Sequence, residues 1–176
     1  RLGALRVERR TTPSACITHA LTGIGADTAT GSGAGADAAM RAVKSGIVGD
    51  AVARLGGSRD KAALAAICGF EIAAMAGFYA EGARAGAVLL LDGYVTTAAA
   101  LIAEQLAPGT RRAMIAAHRS AEPGHGAALA RLGLEPVLDW GMRLGEGTGA
   151  LTALPLLDSA AALLRDVATL DEVLGQ

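Results

Sequence analysis

The fold of this chain is constrained most by an alternation of short apolar runs with helical segments along its second half. Apolar runs at residues 87–91, 112–117 and 137–139 have the length of buried strands. Strands that alternate with helices form parallel βαβ units. The sequence therefore predicts an α/β fold of three layers, a mostly parallel sheet flanked by helices. The helical segments lie at residues 60–67, 70–84, 96–105, 123–132 and 150–167.

Composition indicates how such a sheet is packed and which partners are excluded. Hydrophobic residues make up 52% of the chain but aromatic residues only 3%, so Ala, Leu, Val and Ile must fill the core. The 17.5 kDa chain has the size of a single domain, residues 1–176. With 16 basic and 17 acidic side chains and few aromatic rings, a surface that binds nucleic acid is not expected.

Other features of the sequence indicate the cellular compartment in which the protein acts. No apolar run approaches the roughly 20 uncharged residues that a membrane-spanning helix needs, and residues 1–7 lack the apolar region of a signal peptide. Because the first residue is not methionine, we expect a piece of a longer protein. Cys16 and Cys68 lie in alanine-rich segments, where buried free thiols are expected rather than a disulfide. These features favour a cytoplasmic protein.

The first predicted helix follows a pair of hydroxyl side chains. Thr11 and Thr12 precede Pro13, and a hydroxyl cap with proline in the first turn is typical of a helix start. The helix is expected to end at Gly23, because glycine adopts the backbone conformation that closes a helix.

A glycine-rich loop is predicted next, over residues 23–37. Residues 31–35 read GSGAG, and backbone N–H groups of such a segment can wrap a phosphate, although Gly-x-Gly-x-Gly also occurs often by chance. Asp37 is expected to cap a helix that carries Arg41 and Lys44, which places two cations after the loop.

Polar residues follow each of the three predicted strands. Asp92 comes after the first strand, residues 118–122 after the second and residues 139–146 after the third. In an open parallel sheet, ligands bind beyond the carboxyl ends of the strands. We therefore expect these clusters to meet at one edge and form a binding site.

Each cluster also has a purely structural alternative. Asp92 either faces a ligand or caps the helix that follows it. His118 is either a site residue or a satisfied strand-end histidine, and Arg119 and Glu122 either face the site or pair with each other. His125 is expected on a helix surface, so a metal site shared with His118 is not expected.

Glu146 lies on a turn between glycines, just before the last predicted helix. Gly145, Gly147 and Gly149 occupy alternate positions around it. Glycine allows another molecule to approach the backbone closely, and the N-terminus of a helix favours negative charge. The carboxylate is therefore either a first-turn charge of the helix or a reactive group that faces a ligand.

Three stretches here resemble signatures of the nicotinate-nucleotide–dimethylbenzimidazole phosphoribosyltransferases. Residues 91–100 read LDGYVTTAAA, residues 117–125 read AHRSAEPGH and residues 138–150 read LDWGMRLGEGTGA. Order and spacing agree over residues 64–170, which corresponds to the C-terminal half of a typical member. The resemblance implies transfer of phosphoribose from nicotinate mononucleotide to 5,6-dimethylbenzimidazole, which yields nicotinate and α-ribazole 5′-phosphate for the lower ligand of cobalamin. It also implies a homodimer that requires no cofactor or metal.

The resemblance also assigns roles near the third strand. Glu146 matches the family's catalytic base, the glutamate of Leu-Gly-Glu-Gly, and Leu144 and Gly145 match the substrate-binding residues beside it. Asp92 and Ser120 are further candidate substrate-binding residues. The anionic nicotinate that leaves requires hydrogen-bond donors, and Ser120 and glycine N–H groups can provide them. A carboxylate suits this chemistry, because the benzimidazole must lose its N–H proton while its other nitrogen attacks the ribose.

Phosphate binding is implied by two stretches closer to the start of the chain. Gly33, Gly35 and Lys44 resemble the family's glycine-rich loop and the lysine that follows it. Thr11 and Thr12 match the end of a segment that usually reads Glu-x-Gly-Ile-Gly-Asn-Thr-Thr, whose acidic residue and glycines are absent here. This altered segment supports an alternative function, a non-catalytic nucleotide- or base-binding relative that acts as a partner subunit.

Overall fold

The computed structural model describes residues 2–31 and 38–175, and it describes side chains from residue 11 onward. The chain folds as an α/β structure in which most helices precede or connect three strands. The described elements are α1 (Leu2–Thr22), α2 (Ala26–Ala29), α3 (Ala38–Ala53), α4 (Lys61–Ile67), α5 (Phe70–Arg84), β1 (Leu89–Leu91), α6 (Tyr94–Leu106), β2 (Met114–His118), α7 (His125–Leu132), β3 (Pro136–Leu138), α8 (Thr148–Asp166) and α9 (Leu170–Leu174).

The three strands form one parallel sheet in the order β1-β2-β3. Leu89 pairs with Met114 and His118 pairs with Leu138, so the carboxyl ends of neighbouring strands are in register. Helices α6 and α7 make the two crossovers, which confirms the predicted parallel βαβ units. Strand β1 is shorter than predicted, and Val88, which precedes it, is largely exposed.

Helices cover both faces of the sheet, which confirms the three-layer prediction. Helix α6 packs against α1, α5 and α7 on one side, and α8 packs against β2 and β3 on the other. Ala98, Ala99 and Ala100 of α6 are fully buried. Such small side chains allow close approach between helices, as expected from the low aromatic content. A smaller cluster of Ala117, Leu138 and Ala153 joins the sheet to α8.

The predicted start of the first helix is wrong. Helix α1 runs from Leu2 to Thr22 and contains Pro13 in its interior, so Thr11 and Thr12 lie within the helix and do not cap it. Proline removes one N–H from the helical ladder. The side of α1 that includes Ile17 is buried against the core, and this packing offsets the local loss. The predicted end is correct, since Gly23 follows with φ +78°.

Other boundaries differ by a few residues from prediction. The loop predicted over residues 23–37 contains the short helix α2, and the predicted cap Asp37 lies outside the described residues. Helix α4 is capped by Asp60, which accepts a hydrogen bond from Ala63 N at 2.8 Å. Helix α6 begins at Tyr94, where the Thr96 hydroxyl accepts from Gly93 N at 3.0 Å.

Both cysteines are free thiols, as predicted. Cys16 is buried in α1, whereas Cys68 is only half-buried at the end of α4. Burial raises the pKa of the Cys16 thiol to about 11. None of the helices in the described parts of the chain is long and apolar enough to cross a membrane.

Candidate active site at the carboxyl edge of the sheet

The polar segments that follow the three strands meet at one edge, as the sequence predicts. The loop after β2 is joined to the end of β3 and to the loop beyond it. Arg119 N donates to Leu138 O at 2.8 Å, and Ala121 N donates to Met142 O at 3.1 Å. Asp92, which follows β1, contacts the start of α8 directly. The edge therefore combines residues from three separate parts of the sequence.

Glu146 occupies a turn of unusual backbone geometry at this edge. Gly145, Glu146 and Gly147 all have positive φ, at +79°, +59° and +83°. Glu146 is the one non-glycine residue with positive φ in the described parts of the chain. Thr148 closes the turn, because its N and its Oγ1 both donate to Gly145 O, at 3.1 and 2.7 Å. The Glu146 side chain is exposed at the point where α8 begins.

Asp92 supports this turn through three hydrogen bonds from backbone N–H groups. Its Oδ2 accepts from Gly147 N at 3.2 Å, and its Oδ1 accepts from Gly149 N at 2.8 Å and Ala150 N at 3.1 Å. The carboxylate thus satisfies backbone donors that a helix leaves unpaired in its first turn. The alternative in which Asp92 caps the next helix in sequence is wrong, because Asp92 binds the N-terminus of α8, more than 50 residues away.

His118 packs against both Asp92 and the start of α8. Its Nε2 lies 3.7 Å from Asp92 Oδ1, and its side chain is 2% exposed. The ring lies so close to Gly149 that a methyl group at that position would overlap it. His118 Nδ1 has no hydrogen-bond partner in the described structure. Glycine at position 149 is therefore required for the histidine and the helix to pack together.

His125 is fully buried, so its predicted place on a helix surface is wrong. Ser120 N donates to its Nδ1 at 2.8 Å, and its Nε2 lies 2.9 Å from Thr97 Oγ1. Thr97 Oγ1 donates to Gly93 O at 2.8 Å. The proton of a neutral His125 ring must then be on Nε2, where it is donated to Thr97. Burial, with the nearby charges of His118 and Arg119, lowers the pKa of His125 to about 4.

The alternative in which Arg119 and Glu122 pair with each other is wrong, because each has another partner. Arg119 Nε contacts Asp139 Oδ2 at 3.1 Å, and Glu122 Oε1 lies 3.7 Å from Arg143 Nη2. These contacts tie the loop after β2 to the loop after β3. In the loop after β2, Ser120 Oγ accepts from Glu122 N at 3.3 Å, so the Ser120 hydroxyl proton remains able to donate.

The start of the glycine-rich segment lies against the same edge. Tyr94 Oη donates to Ala29 O at 3.0 Å, and Arg41 Nε donates to Thr30 O at 3.1 Å. Gly31 lies against the Glu122 carboxylate so closely that a side chain there would overlap it. Gly33 and Gly35, the predicted phosphate-binding glycines, lie outside the described residues.

The remaining predicted site residues lie further along the helices. Lys44 is buried on the face of α3 that also carries Val48, and Thr11 and Thr12 are half-buried in α1. Within residues 11–31 and 38–175, no hydrogen bond or ion pair joins Lys44 to the polar cluster at the sheet edge. Leu144, beside the turn, is largely exposed.

Two of these side chains were predicted wrongly for identifiable reasons. His125 was expected on a helix surface, but it is the first residue of α7 and the loop after β2 folds over it, with Ser120 N bound to its ring. The partner of Asp92 is remote in sequence, so no local sequence pattern identifies it.

In the described parts of the chain, no three potential metal ligands lie close enough to hold an ion.

Comparison with known proteins shows that the sequence of this chain matches one family. The family model described as "Phosphoribosyltransferase" matches residues 9–173. The nicotinate-nucleotide–dimethylbenzimidazole phosphoribosyltransferase of Mycobacterium ulcerans (strain Agy99) is 49% identical over 164 residues, which are 92% of this chain and 46% of that protein. The enzyme of the same name from Aromatoleum aromaticum is 46% identical over 162 residues, covering 92% of this chain and 47% of that protein.

Solved structures agree with the sequence comparison. The crystal structure of CobT from Thermus thermophilus superposes with a TM-score of 0.84 at 44% identity, over 89% of this chain and 47% of that one. The chain spans about half the length of the curated relatives that it matches.

Proposed function

Because the chain belongs to the nicotinate-nucleotide–dimethylbenzimidazole phosphoribosyltransferase family, we propose that it catalyses that family's transfer reaction. Phosphoribose passes from nicotinate mononucleotide to 5,6-dimethylbenzimidazole, and the products are nicotinate and α-ribazole 5′-phosphate. The observation that carries the proposal is the Glu146 turn: an exposed carboxylate at the carboxyl edge of a parallel sheet, held by a second, buried carboxylate.

Glu146 acts as the general base. One benzimidazole nitrogen attacks the anomeric carbon of the ribose while the other transfers its proton to the Glu146 carboxylate. The bond between that carbon and the pyridine nitrogen breaks, and its electron pair leaves with nicotinate. A side chain exposed on a turn of glycines has room beside it for a flat aromatic ring.

The other residues of the site bind the two substrates. Leu144 and Gly145 contact the benzimidazole, since an exposed leucine next to the base offers the apolar surface that such a ring requires. Ser120 donates its hydroxyl proton to the nicotinate. The phosphoribose is bound by the residues that the family resemblance assigns to it, namely Thr11, Thr12, Gly33, Gly35 and Lys44.

We propose further that residues 1–176 are a single α/β domain, the larger C-terminal part of a longer enzyme that acts in the cytoplasm as a homodimer. The match to 46% and 47% of two relatives supports a chain that is one part of a longer enzyme. The exposed apolar side chains of α8 and α9, such as Leu163, Leu164 and Leu170, support an interface. Two free thiols fit a reducing compartment. The mass of the purified chain in solution tests the dimer.

The proposal is tested by incubating the chain with nicotinate mononucleotide and 5,6-dimethylbenzimidazole and detecting α-ribazole 5′-phosphate by mass spectrometry. A parallel reaction contains the N-terminal half of the Mycobacterium ulcerans relative. Product in either reaction supports transfer. Binding of nicotinate mononucleotide without product in both reactions would instead support the non-catalytic alternative.

A further inference from the structure

The buried carboxylate beneath the Glu146 turn has a role that its place in the sequence does not reveal. We infer that Asp92 is a positioning residue that holds Glu146 in its reactive conformation, and that it does not bind substrate as the sequence predicts. The inference rests on the proposed transfer reaction, because that reaction makes Glu146 the general base.

Both oxygens of Asp92 are already engaged by the backbone. Oδ2 accepts from Gly147 N, the residue directly after Glu146, and Oδ1 accepts from Gly149 N and Ala150 N. The residue is only 9% exposed. A carboxylate that contacts a substrate must present an oxygen to the ligand, whereas this carboxylate presents its oxygens to the backbone of the turn and of α8.

The turn requires such a support because its backbone conformation is unfavourable for glutamate. Glu146 has φ +59°, a region that side chains other than glycine rarely adopt. On one side the turn is closed by the two bonds from Thr148 to Gly145 O. On the other side the bond from Gly147 N to Asp92 fixes it to β1. Loss of that bond frees the direction in which the Glu146 carboxylate points.

His118 limits the movement of Asp92. Its Nε2 lies 3.7 Å from Asp92 Oδ1, and its ring fills the space between Gly93 and Gly149. Asp92 follows β1 and His118 ends β2, so both are anchored in the sheet. The turn is therefore tied to two strands of the sheet in addition to being closed by its neighbour Thr148.

The test compares Asp92→Asn with Glu104→Gln in the full chain, or in whichever reaction mixture gives transfer. The amide has nearly the same shape, but its NH₂ group cannot accept from the backbone. We expect kcat to fall at least tenfold, the KM for nicotinate mononucleotide to stay within threefold, and exchange of the Gly147, Gly149 and Ala150 amide protons to become at least tenfold faster.

Glu104 is a matched control because it also holds a turn through backbone N–H groups, those of Gly109 and Arg111, at the far end of α6. Its amide variant should lose some stability and keep the wild-type kcat. A raised KM with unchanged kcat in Asp92→Asn would overturn the positioning role, and so would unchanged amide exchange.

A measurement on the unmutated chain covers the case in which Asp92→Asn does not fold. NMR couplings transmitted through hydrogen bonds should connect the Gly149 amide nitrogen with the carboxylate carbon of Asp92. Their absence would contradict the inference. The NMR couplings and the amide exchange do not depend on turnover. If they show Asp92 bound to the turn while the chain forms no product, the proposed function is refuted and the contact between Asp92 and the turn is not.

Discussion

Glu146 adopts a backbone conformation that glycine enters freely and that costs other residues about 1–2 kcal/mol. Strain of this kind persists where surrounding contacts fix the chain. Here those contacts are the bonds from Gly147 N to Asp92 and from Thr148 to Gly145 O. The sequence predicts the turn, because three alternating glycines bracket one carboxylate, but it does not predict which residue supports it.

Replacement of Glu146 by glycine should relieve this strain. We expect Glu146→Gly to raise the free energy of unfolding by about 1 kcal/mol, because glycine adopts positive φ without a steric penalty. The same variant should have no transfer activity. Urea unfolding followed by circular dichroism measures the change. A loss of stability in Glu146→Gly would show that the side chain contributes more to the fold than its conformation costs.

His125 makes stability depend on pH. Its pKa is lowered to about 4 in the folded chain, first because it is buried, whereas the ordinary value is 6.5. Below pH 6.5 the unfolded chain therefore binds a proton that the folded chain does not bind until near pH 4. The free energy of unfolding should fall by about 2 kcal/mol from this residue between pH 7 and pH 4.5.

A variant without the imidazole should lose that dependence. His125→Asn keeps an acceptor for Ser120 N but has no group that protonates in this range. We expect it to be less stable than the wild type at pH 7 and to lose about 2 kcal/mol less on acidification to pH 4.5, measured by urea unfolding at both values. Equal losses in the two proteins would mean that His125 is not the buried neutral group described here.

Among the elements, the βαβ units were predictable and the first helix was not. The apolar runs before Asp92 and after Arg112 are short, and the segments between them have helical spacing, so local pattern and final structure agree. Pro13 is locally typical of a helix start, but the described backbone is helical on both sides of it. Tertiary packing of α1 against α3 and α6 decides the outcome, and a local pattern does not contain that information.

The position of Pro13 in α1 has a measurable consequence. Pro13→Ala restores an N–H to the interior of the helix and should stabilise the chain by about 1 kcal/mol or more, as judged by urea unfolding. A proline in the first turn of a helix is well tolerated. If the helix began at Thr11, the substitution would therefore leave stability unchanged or reduce it.

Long-range contacts at the sheet edge were predictable only in outline. The rule that parallel strands end at one edge brings Asp92, Ser120 and Glu146 together from sequence alone. It does not reveal that Asp92 binds α8 instead of α6, nor that His125 is buried beneath Ser120. The first contact joins residues 57 apart in sequence, and the second forms only when the loop after β2 folds over α7.

At the scale of the whole molecule, the chain has an α/β fold with its candidate site at one sheet edge and exposed apolar side chains on its last two described helices. Leu164 and Leu170 are mostly exposed on α8 and α9. The relatives are about twice as long as the matched region. The exposed apolar side chains of α8 and α9 are therefore the surface at which the proposed dimer interface is expected.

If Glu146 removes the proton of the incoming base, the transfer rate must depend on its carboxylate, and Glu146→Gln measures that dependence. The glutamine has nearly the same size but does not act as a base at neutral pH, and general-base catalysis is typically worth roughly 10² to 10⁴ in rate. Glu71→Gln, at the exposed start of α5, is the control. We expect at least a hundredfold loss of α-ribazole 5′-phosphate formation in Glu146→Gln with the fold intact and no loss in Glu71→Gln. A wild-type rate in Glu146→Gln would contradict the role of Glu146 as the general base.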